Sequence, residues 1–144
     1  MTDELVFVDT NVLIYAYDRS AGHKRSIARS RLADLWETHT GVLSAQVLQE
    51  FYVNVTRKLA RPLSAVRARH IVTDYASWPM HLVEATDIIR ASEVEQRHGI
   101  SFWDALVVVA ASRLGAARLL TEDLGHGQVI AGVRIENPFV AAGS

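Results

Sequence analysis

The stretch LVFVDTNVLI, residues 5–14, decides the predicted fold because it passes from a buried strand to a helix through one acid. Its first four residues are apolar, which is typical of a strand buried on both faces of a parallel sheet. Thr10 and Asn11 then provide a helix-start signal. Asp9 is the only charged residue of the stretch, and it lies at the carboxyl end of the strand, where open α/β sheets bind ligands. The alternative role for Asp9 is to cap the helix, although Thr10 or Asn11 can cap it equally well.

The remaining sequence alternates short apolar segments with helical patterns, which predicts a parallel sheet covered on both faces. Helices are predicted over about residues 23–38, 44–59, 64–78, 86–99 and 101–115, with Thr86 as the cap of the fourth. Further short strands are predicted at about residues 81–83, 118–121 and 133–135, and an extended link at 41–43. Because no repeat or linker interrupts this pattern, residues 1–144 are predicted to form a single α/β domain.

The composition excludes several classes of protein. Hydrophobic residues make up 49% of the chain, which is enough for a packed core. The absence of cysteine excludes disulfides and thiolate metal ligands. No apolar run approaches the roughly 20 residues that span a bilayer, and the acidic start does not resemble a secretory signal. We therefore expect a cytoplasmic protein without membrane contact.

Basic residues are concentrated in two stretches, although the formal net charge is −1. One stretch lies between Asp18 and Asp34 and the other between Glu50 and Asp74, and neither contains an acid. Phosphate binding depends on local basic patches rather than on net charge. The stretches are therefore candidates for contacting a nucleic-acid backbone, and solvated helix faces are the alternative. Their basic residues are Arg19, Lys24, Arg25, Arg29 and Arg31, and then Arg57, Lys58, Arg61, Arg67 and Arg69.

Three further acids stand out, each with a simpler alternative. Asp104 is the only charged residue from Gly99 through Ser112, in a helix that is apolar nearly all round, which predicts burial of that helix, but it also matches a capping box with Ser101. Asp123 follows a predicted strand, where an ordinary turn is the alternative and Glu122 competes for any role. Glu50 lies on the polar stripe of its helix, where a solvated face is the alternative.

These acids make chemical sense as one group. Several ionised carboxylates share a site only when a positive charge lies between them. Mg²⁺ prefers a few carboxylates together with waters, and such an ion activates water for attack on phosphate. The six histidines show no His-x-x-x-His spacing, and neither a Gly-x-Ser-x-Gly motif nor a glycine-rich phosphate loop occurs.

Four segments together resemble the PIN-domain family, and they occur in the family's order. They are FVDTNVLI at residues 7–14, SAQVLQEF at 44–51, SFWDA at 101–105 and LTEDLG at 120–125. Each segment alone is a weak signal, whereas the ordered set spans most of the chain. Within the family, the chain is most similar to the VapC-type toxins of bacterial toxin–antitoxin pairs, which also match it in length.

The resemblance implies a Rossmann-like three-layer α/β/α domain with a short parallel sheet and an endoribonuclease site that depends on Mg²⁺ or Mn²⁺. It assigns Asp9 and Asp104 as the principal metal ligands, with Asp123 joining them. Glu50 and Asp123 complete the acidic cluster or act through water. Asn11 and Thr121 become polar supports near the metal or the scissile phosphate. The two basic stretches, rather than the resemblance, predict that Arg25, Arg29 and Arg57 contact the RNA backbone. His126 has no assigned role and is expected at the surface.

The resemblance also implies partners. PIN-domain toxins of this type form homodimers and bind a separate antitoxin, which lays a segment across the acidic groove. A type II toxin that cleaves RNA is thus the expected function. The alternative is a non-catalytic PIN-like module that binds RNA or protein, and metal-dependent cleavage of an RNA pool distinguishes the two.

Overall fold

The structure, a computed structural model, describes residues 4–140, in which strands and helices alternate along the chain. The strands are β1 (Val6–Val8), β2 (Gly41–Ser44), β3 (Met80–His81), β4 (Arg118–Leu120), β5 (Val129–Ile130) and β6 (Val133–Glu136). The helices are α1 (Thr10–Tyr17), α2 (His23–Thr38), α3 (Ala45–Arg57), α4 (Ala65–Tyr75), α5 (Ala85–His98) and α6 (Phe102–Arg113). Within residues 4–140, none of these helices is both long and apolar enough to cross a membrane.

The six strands form one sheet in the order β3-β2-β1-β4-β6-β5. All neighbouring pairs are parallel except β5 and β6, which are antiparallel. Val6 of β1 is in register with Gly41 on one side and with Arg118 on the other. The chain runs outward from β1 to β3 and then returns to β4, so the strand order reverses between β1 and β4. This reversal opens a crevice at the carboxyl ends of these two strands.

Helices cover both faces of the sheet. α1 packs on α2 and α3, which also contact β2, whereas α5 packs on α6, which contacts β2, β4 and β6. Right-handed crossovers place α1 to α4 on one face and α5 with α6 on the other, because the chain reverses direction after β3. Phe7, Leu43 and Leu119 are completely buried between these layers. The predicted three-layer α/β/α fold is confirmed.

Several predicted element boundaries are wrong in detail. Residues 41–43 are part of a full strand, β2, rather than a link. β3 ends at His81 instead of including Leu82 and Val83, which are exposed. The N-cap of α5 is Glu84 rather than Thr86, and the Asp87 carboxylate accepts a hydrogen bond from the Glu84 amide at 2.8 Å.

The hairpin of β5 and β6 contains a strand that the sequence did not predict. Its two-residue turn consists of Ala131 (φ 51°) and Gly132 (φ 80°). Turns with positive φ at both central residues usually carry Asn-Gly or Asp-Gly. Because alanine is uncommon in this conformation, the usual sequence signal of a tight hairpin is missing here.

Gly41 begins β2 beneath a cluster of three aromatic rings. The ring centroids of Trp36 and Trp78 are 5.1 Å apart, and those of Tyr75 and Trp78 are 4.9 Å apart. A Cβ atom on Gly41 would lie within 2.8 Å of three carbons of the Trp78 indole. The close approach of this ring to the β2 backbone therefore requires glycine.

We predict that Gly41→Ala lowers the free energy of unfolding by about 1–3 kcal/mol, as overpacking of a core does. Trp78→Leu removes the atoms that clash, so the double variant should lose less than the sum of the two single variants. Urea denaturation of the wild type, both single variants and the double variant provides the comparison. Strictly additive losses would show that the contact between Gly41 and Trp78 does not limit packing.

Candidate active site

Asp9 occupies the crevice between β1 and β4. Its amide donates to the Leu120 carbonyl at 3.0 Å, which continues the pairing of the two strands. One carboxylate oxygen, Oδ1, accepts from the Thr10 amide at 2.8 Å, and the other, Oδ2, accepts from the Thr121 hydroxyl at 2.9 Å. Asp9 is therefore the N-cap of α1. The alternative considered from the sequence, that Asp9 caps the helix, is therefore observed, and Thr10 and Asn11 lie within α1 instead.

The Asp9 carboxyl is only 6% exposed. Burial raises its pKa from 3.8 to about 7, against the opposing effect of hydrogen bonds from Thr10 and Thr121. The negative charges of Asp123 and Asp104 contribute to this rise. The side chain therefore has the character of a buried acid that is close to other acids.

Asn11 holds the segment that follows β4. Its amide nitrogen Nδ2 donates to the Asp123 carboxylate at 2.9 Å and to the Thr121 hydroxyl at 3.2 Å. Thr121 also accepts from the Asp123 amide at 3.1 Å. These bonds link α1 to the end of β4 and orient Asp123 toward Asp9. Asn11 and Thr121 thus lie among the acids, as expected of polar supports.

Neighbouring acids in this segment face different partners. Glu122 accepts a hydrogen bond from the Tyr15 hydroxyl at 2.6 Å and pairs with Lys24 at 2.8 Å. Asp123 instead lines the pocket of acids. The sequence left open whether Glu122 or Asp123 faces the predicted site. Tyr15 and Lys24 bind Glu122, so Asp123 is the acid that lines the cavity. His126 is exposed, as expected, and its Nδ1 accepts a hydrogen bond from the Asn137 amide at 3.0 Å.

Glu50 reaches the site from α3. Its Oε2 accepts from the Thr10 hydroxyl at 2.9 Å, and its Oε1 accepts from the side-chain Nε2 of Gln46, one turn earlier in the helix, at 3.1 Å. The polar stripe of α3 therefore faces the beginning of α1. This contact brings a residue on the exposed side of an amphipathic helix next to the residues around Asp9.

Asp104 lies in the first turn of α6. Ser101 caps this helix, and its hydroxyl accepts from the Asp104 amide at 3.1 Å. Partial burial raises the pKa of the Asp104 carboxyl, a hydrogen bond with Ser101 lowers it, and the charges of Asp123 and Glu50 raise it. The backbone amide of Asp104 thus takes part in the helix cap, while its carboxylate is repelled by the charges of Asp123 and Glu50.

The four predicted acids line one cavity of about 410 Å³ at the carboxyl ends of the strands. They come from four separate segments of the chain, and Thr10, Asn11, Ile14, Gln46, Trp103 and Val107 complete the lining. A larger cavity, of about 780 Å³, lies beside α5. Its buried acid, Asp87, is already paired with His81 at 2.8 Å and with Arg113 at 3.3 Å. The acidic cavity is therefore the better candidate for chemistry.

The donor set of this cavity suits a hard divalent cation. Carboxylates that raise one another's pKa lie close enough to repel, and a cation between them removes that repulsion. Oxygen ligands of this kind are those that Mg²⁺ prefers. Among residues 4–140, no group of three or more acidic or histidine side chains is already arranged at distances suited to coordinate a metal ion. The residues present therefore fit a cation by chemistry, whereas the assignment of individual ligands stays a prediction.

The predicted RNA-contacting arginines do not line the acidic cavity. Arg57 is exposed at the end of α3. Arg29 donates from Nε to the Ala16 carbonyl at 2.8 Å, so part of its guanidinium stabilises the end of α1. Arg25 is half-buried near the start of α2. Any contact they make with RNA would lie outside the group of acids.

Trp103 was missed as a residue of the site. The apolar sequence of α6 predicted burial, which is correct for Ala105 to Ala111 but wrong for Trp103, whose side chain is 64% exposed. Its position directly before Asp104 was the available signal, because neighbouring residues in the first turn of a helix flank the same opening. Thr10 and Gln46 were also missed, since both act through hydrogen bonds to Glu50.

The fold and the cavity together define a Rossmann-like α/β domain with acids gathered at the switch point of its sheet. The chain belongs to the PIN domain family, whose sequence profile matches residues 6–130.

Known proteins are similar to the chain in sequence and in structure. Ribonuclease VapC23 of Mycobacterium tuberculosis is 34% identical over 125 residues, covering 83% of this chain and 93% of the relative. Among solved structures, FitAcB from Neisseria gonorrhoeae is similar with a TM-score of 0.65 at 18% identity, covering 94% of this chain and 99% of that one. VapC20 of M. tuberculosis, described as a sarcin–ricin loop cleaving toxin, has a TM-score of 0.60 at 22% identity, covering 79% and 86%. The resemblance to VapC-type toxins seen in the sequence is confirmed.

We predict that the metal-free protein loses stability as the pH rises from about 4 to about 8. The pKa of Asp9 is higher in the folded protein, about 7 against 3.8, so the folded state binds the proton more tightly within this range. The penalty is absent below the lower pKa and complete above the higher one, and it amounts to roughly 4 kcal/mol. Asp9→Asn removes it while retaining an oxygen for the Thr10 amide. We therefore expect Asp9→Asn to be more stable than the wild type in the presence of a chelator, and the gain in stability should be larger at pH 8 than at pH 5.

Asp74→Asn is the matched control, because Asp74 is exposed on α4 and does not line the cavity. Thermal unfolding at both pH values gives the comparison. If the effect of Asp9→Asn on stability were the same at pH 5 as at pH 8, as expected for Asp74→Asn, the pKa of Asp9 would not be raised by burial.

Proposed function

We propose that this chain is an endoribonuclease that cleaves RNA phosphodiester bonds with a divalent cation, and that it is the toxin of a type II toxin–antitoxin pair. The observation that carries the proposal is the convergence of Asp9, Glu50, Asp104 and Asp123 on one cavity at the switch point of the sheet. A relative that covers most of the chain and is named a ribonuclease supports the same activity.

Asp9, Asp104 and Asp123 would hold Mg²⁺ or Mn²⁺. When bound, the cation lowers the pKa of a coordinated water and offsets negative charge on the phosphate. Thr10 and Thr121 orient the two oxygens of Asp9, and Asn11 orients Asp123. These hydrogen bonds fix the carboxylates before substrate arrives, which is the form of preorganisation that enzymes use.

Glu50 would act at the open side of the site. Thr10 and Gln46 fix its carboxylate by one hydrogen bond to each oxygen, and each oxygen retains a further lone pair. Because Glu50 is exposed, water reaches it directly. It would accept a hydrogen bond from the attacking water and draw its proton away from the phosphate.

A toxin of this kind would have two protein partners, an antitoxin and a second copy of the chain. The acidic cavity is an open groove that a basic segment of an antitoxin would fit by charge. For the second copy, the exposed apolar residues Leu82, Val83, Ile88 and Ile89 are grouped around the start of α5. Grouped apolar side chains of this kind are typical of protein interfaces.

We predict that Asp9→Asn and Asp104→Asn each lower cleavage of a mixed RNA pool by at least about 100-fold. Each substitution removes a negative charge that would help to stabilise the transition state by several kcal/mol. Calorimetric titration with Mn²⁺ should show weakened metal binding in the same variants. Asp74→Asn should retain the activity and the metal affinity of the wild type.

Chelation should abolish cleavage by the wild type, and Mg²⁺ should restore it. Binding of RNA without metal-dependent cleavage would favour the non-catalytic module. Near-normal turnover by Asp9→Asn in Mg²⁺ would contradict the assignment of the site.

Arg25, Arg29 and Arg57 give a further prediction about RNA binding. Removing one phosphate contact from single-stranded RNA should reduce the slope of log affinity against log salt by roughly 0.7. We expect the largest change for Arg57→Gln, since this side chain is exposed, and a smaller one for Arg29→Gln, whose Nε already binds Ala16. Affinity is measured against salt in an Asp9→Asn background. An unchanged slope in all three arginine variants would show that RNA is held elsewhere.

A further inference from the structure

Glu122 directly precedes a proposed metal ligand, Asp123, but its side chain is bound to other partners. It does not line the acidic cavity, and it is 23% exposed. One carboxylate oxygen accepts from the Tyr15 hydroxyl at 2.6 Å, and the other accepts from the Lys24 ammonium at 2.8 Å. The proposed chemistry uses neither Glu122 nor its two donors, so this group of side chains is left without a role.

A single helix binds both of the neighbouring acids. Asn11 and Tyr15 are four residues apart on α1, so their side chains share a face of the helix. Asn11 donates to the Asp123 carboxylate at 2.9 Å, whereas Tyr15 donates to that of Glu122. Because consecutive side chains are bound at two points of one rigid element, the direction of each depends on the bond made by the other.

The segment that carries these two acids has few other constraints. Residues 121–128 contain no helix or strand, and Asp123 is exposed. The Glu122 amide donates to Asn11 Oδ1 only at 3.4 Å, and the Asp123 amide donates to the Thr121 hydroxyl within the segment itself. The direction of Asp123 therefore depends on side-chain bonds, and those of Glu122 join the segment to both α1 and α2.

The two donors to Glu122 are themselves held in place. Phe139 contacts the Tyr15 ring edge-on, with centroids 5.1 Å apart and an interplanar angle of 80°. The Lys24 ammonium lies 4.8 Å from the centroid of the Tyr15 ring and 5.3 Å from that of Phe139, which are cation–π distances. Hydrogen bonding with Glu122 raises the pKa of both Tyr15 and Lys24, so both remain donors at neutral pH.

We propose that Tyr15 and Lys24 are positioning residues of the acidic site, because they hold Glu122 outside the cavity and thereby direct Asp123 into it. The inference rests on the proposed function, in which Asp123 would be a metal ligand. Without these donors, Glu122 would be an unpaired acid beside the cavity, and it would compete with Asp123 for the cation. Groups that orient metal ligands from outside the coordination sphere commonly tune metal affinity in this way.

The test is calorimetric titration of Tyr15→Phe, Lys24→Met and the double variant with Mn²⁺. Loss of an outer partner of a metal ligand typically weakens metal binding by about 10- to 100-fold. The double variant should fall within this range, and each single variant should lose about 3- to 10-fold, because two donors share Glu122. Lys24→Arg should retain most of the affinity, since a guanidinium also pairs with a carboxylate.

Two further measurements show whether the effect acts through Glu122. In a Glu122→Ala background, Tyr15→Phe and Lys24→Met should change the Mn²⁺ affinity little further. Cleavage of the RNA pool by the double variant should be reduced at low Mn²⁺ and should recover at saturating Mn²⁺. Arg97→Met and Tyr52→Phe are the matched controls, because both residues lie outside the acidic cavity.

A direct contact between Lys24 and RNA is the competing explanation, because Lys24 belongs to the first basic stretch. In that case Lys24→Met would weaken RNA binding in the Asp9→Asn background, Glu122→Gln would strengthen it, and the Mn²⁺ affinity of Lys24→Met would equal that of the wild type. This result would overturn the positioning role and leave the ribonuclease proposal standing.

Tyr15→Phe keeps the test decisive if Lys24→Met fails to fold, because it removes a single oxygen atom. Wild-type Mn²⁺ affinity in Tyr15→Phe would then overturn the positioning role. If the wild type neither binds Mn²⁺ nor cleaves RNA, both the positioning role and the ribonuclease proposal fail.

Discussion

The hydrogen bond from the Thr121 hydroxyl to the Asp9 carboxylate joins the two strands between which the sheet reverses its order. Asp9 lies between the end of β1 and the first residue of α1, so this bond fixes the entry of the first helix as well as the separation of β1 and β4. Burial of Asp9 in turn requires donors on both of its oxygens, since an unsatisfied buried carboxylate is costly. Thr10 and Thr121 supply these donors, and Asn11 extends the network to Asp123. The arrangement of the cavity thus depends on the hydrogen bonds that the protein donates to one buried acid.

The elements that surround this acid could be predicted from the sequence because their signals are local. An apolar run that ends at Asp9 identifies β1, and the gathering of Asp9 and Asp123 follows from placing two parallel strands side by side. Glu50 is different, because the polar stripe of α3 indicates a solvated face unless the position of α1 is known. Only the resemblance of the segment around Glu50 to a known motif included it, and the bond from Thr10 provides the physical reason.

Features that depend on tertiary contacts could not be predicted from the sequence. The β5–β6 hairpin uses Ala131 where Asn is usual, so its turn has no local signal. Glu122 and Asp123 are chemically similar neighbours, and only the positions of Tyr15 and Lys24 determine which of them faces the cavity. Trp103 belongs to an apolar helix whose later turns are buried, and exposure of its first turn follows from where α6 meets the sheet.

Both edges of the sheet are formed by strands of only two residues, β3 at one side and β5 at the other. An edge strand exposes backbone amides and carbonyls that can recruit a strand from another molecule, and short edges offer too few of them for stable pairing. The other strands, of three or four residues, lie in the interior of the sheet, where each already has neighbours on both sides. Folded copies of this chain therefore provide little template for cross-β growth, so the architecture resists aggregation through its sheet even when the protein is concentrated.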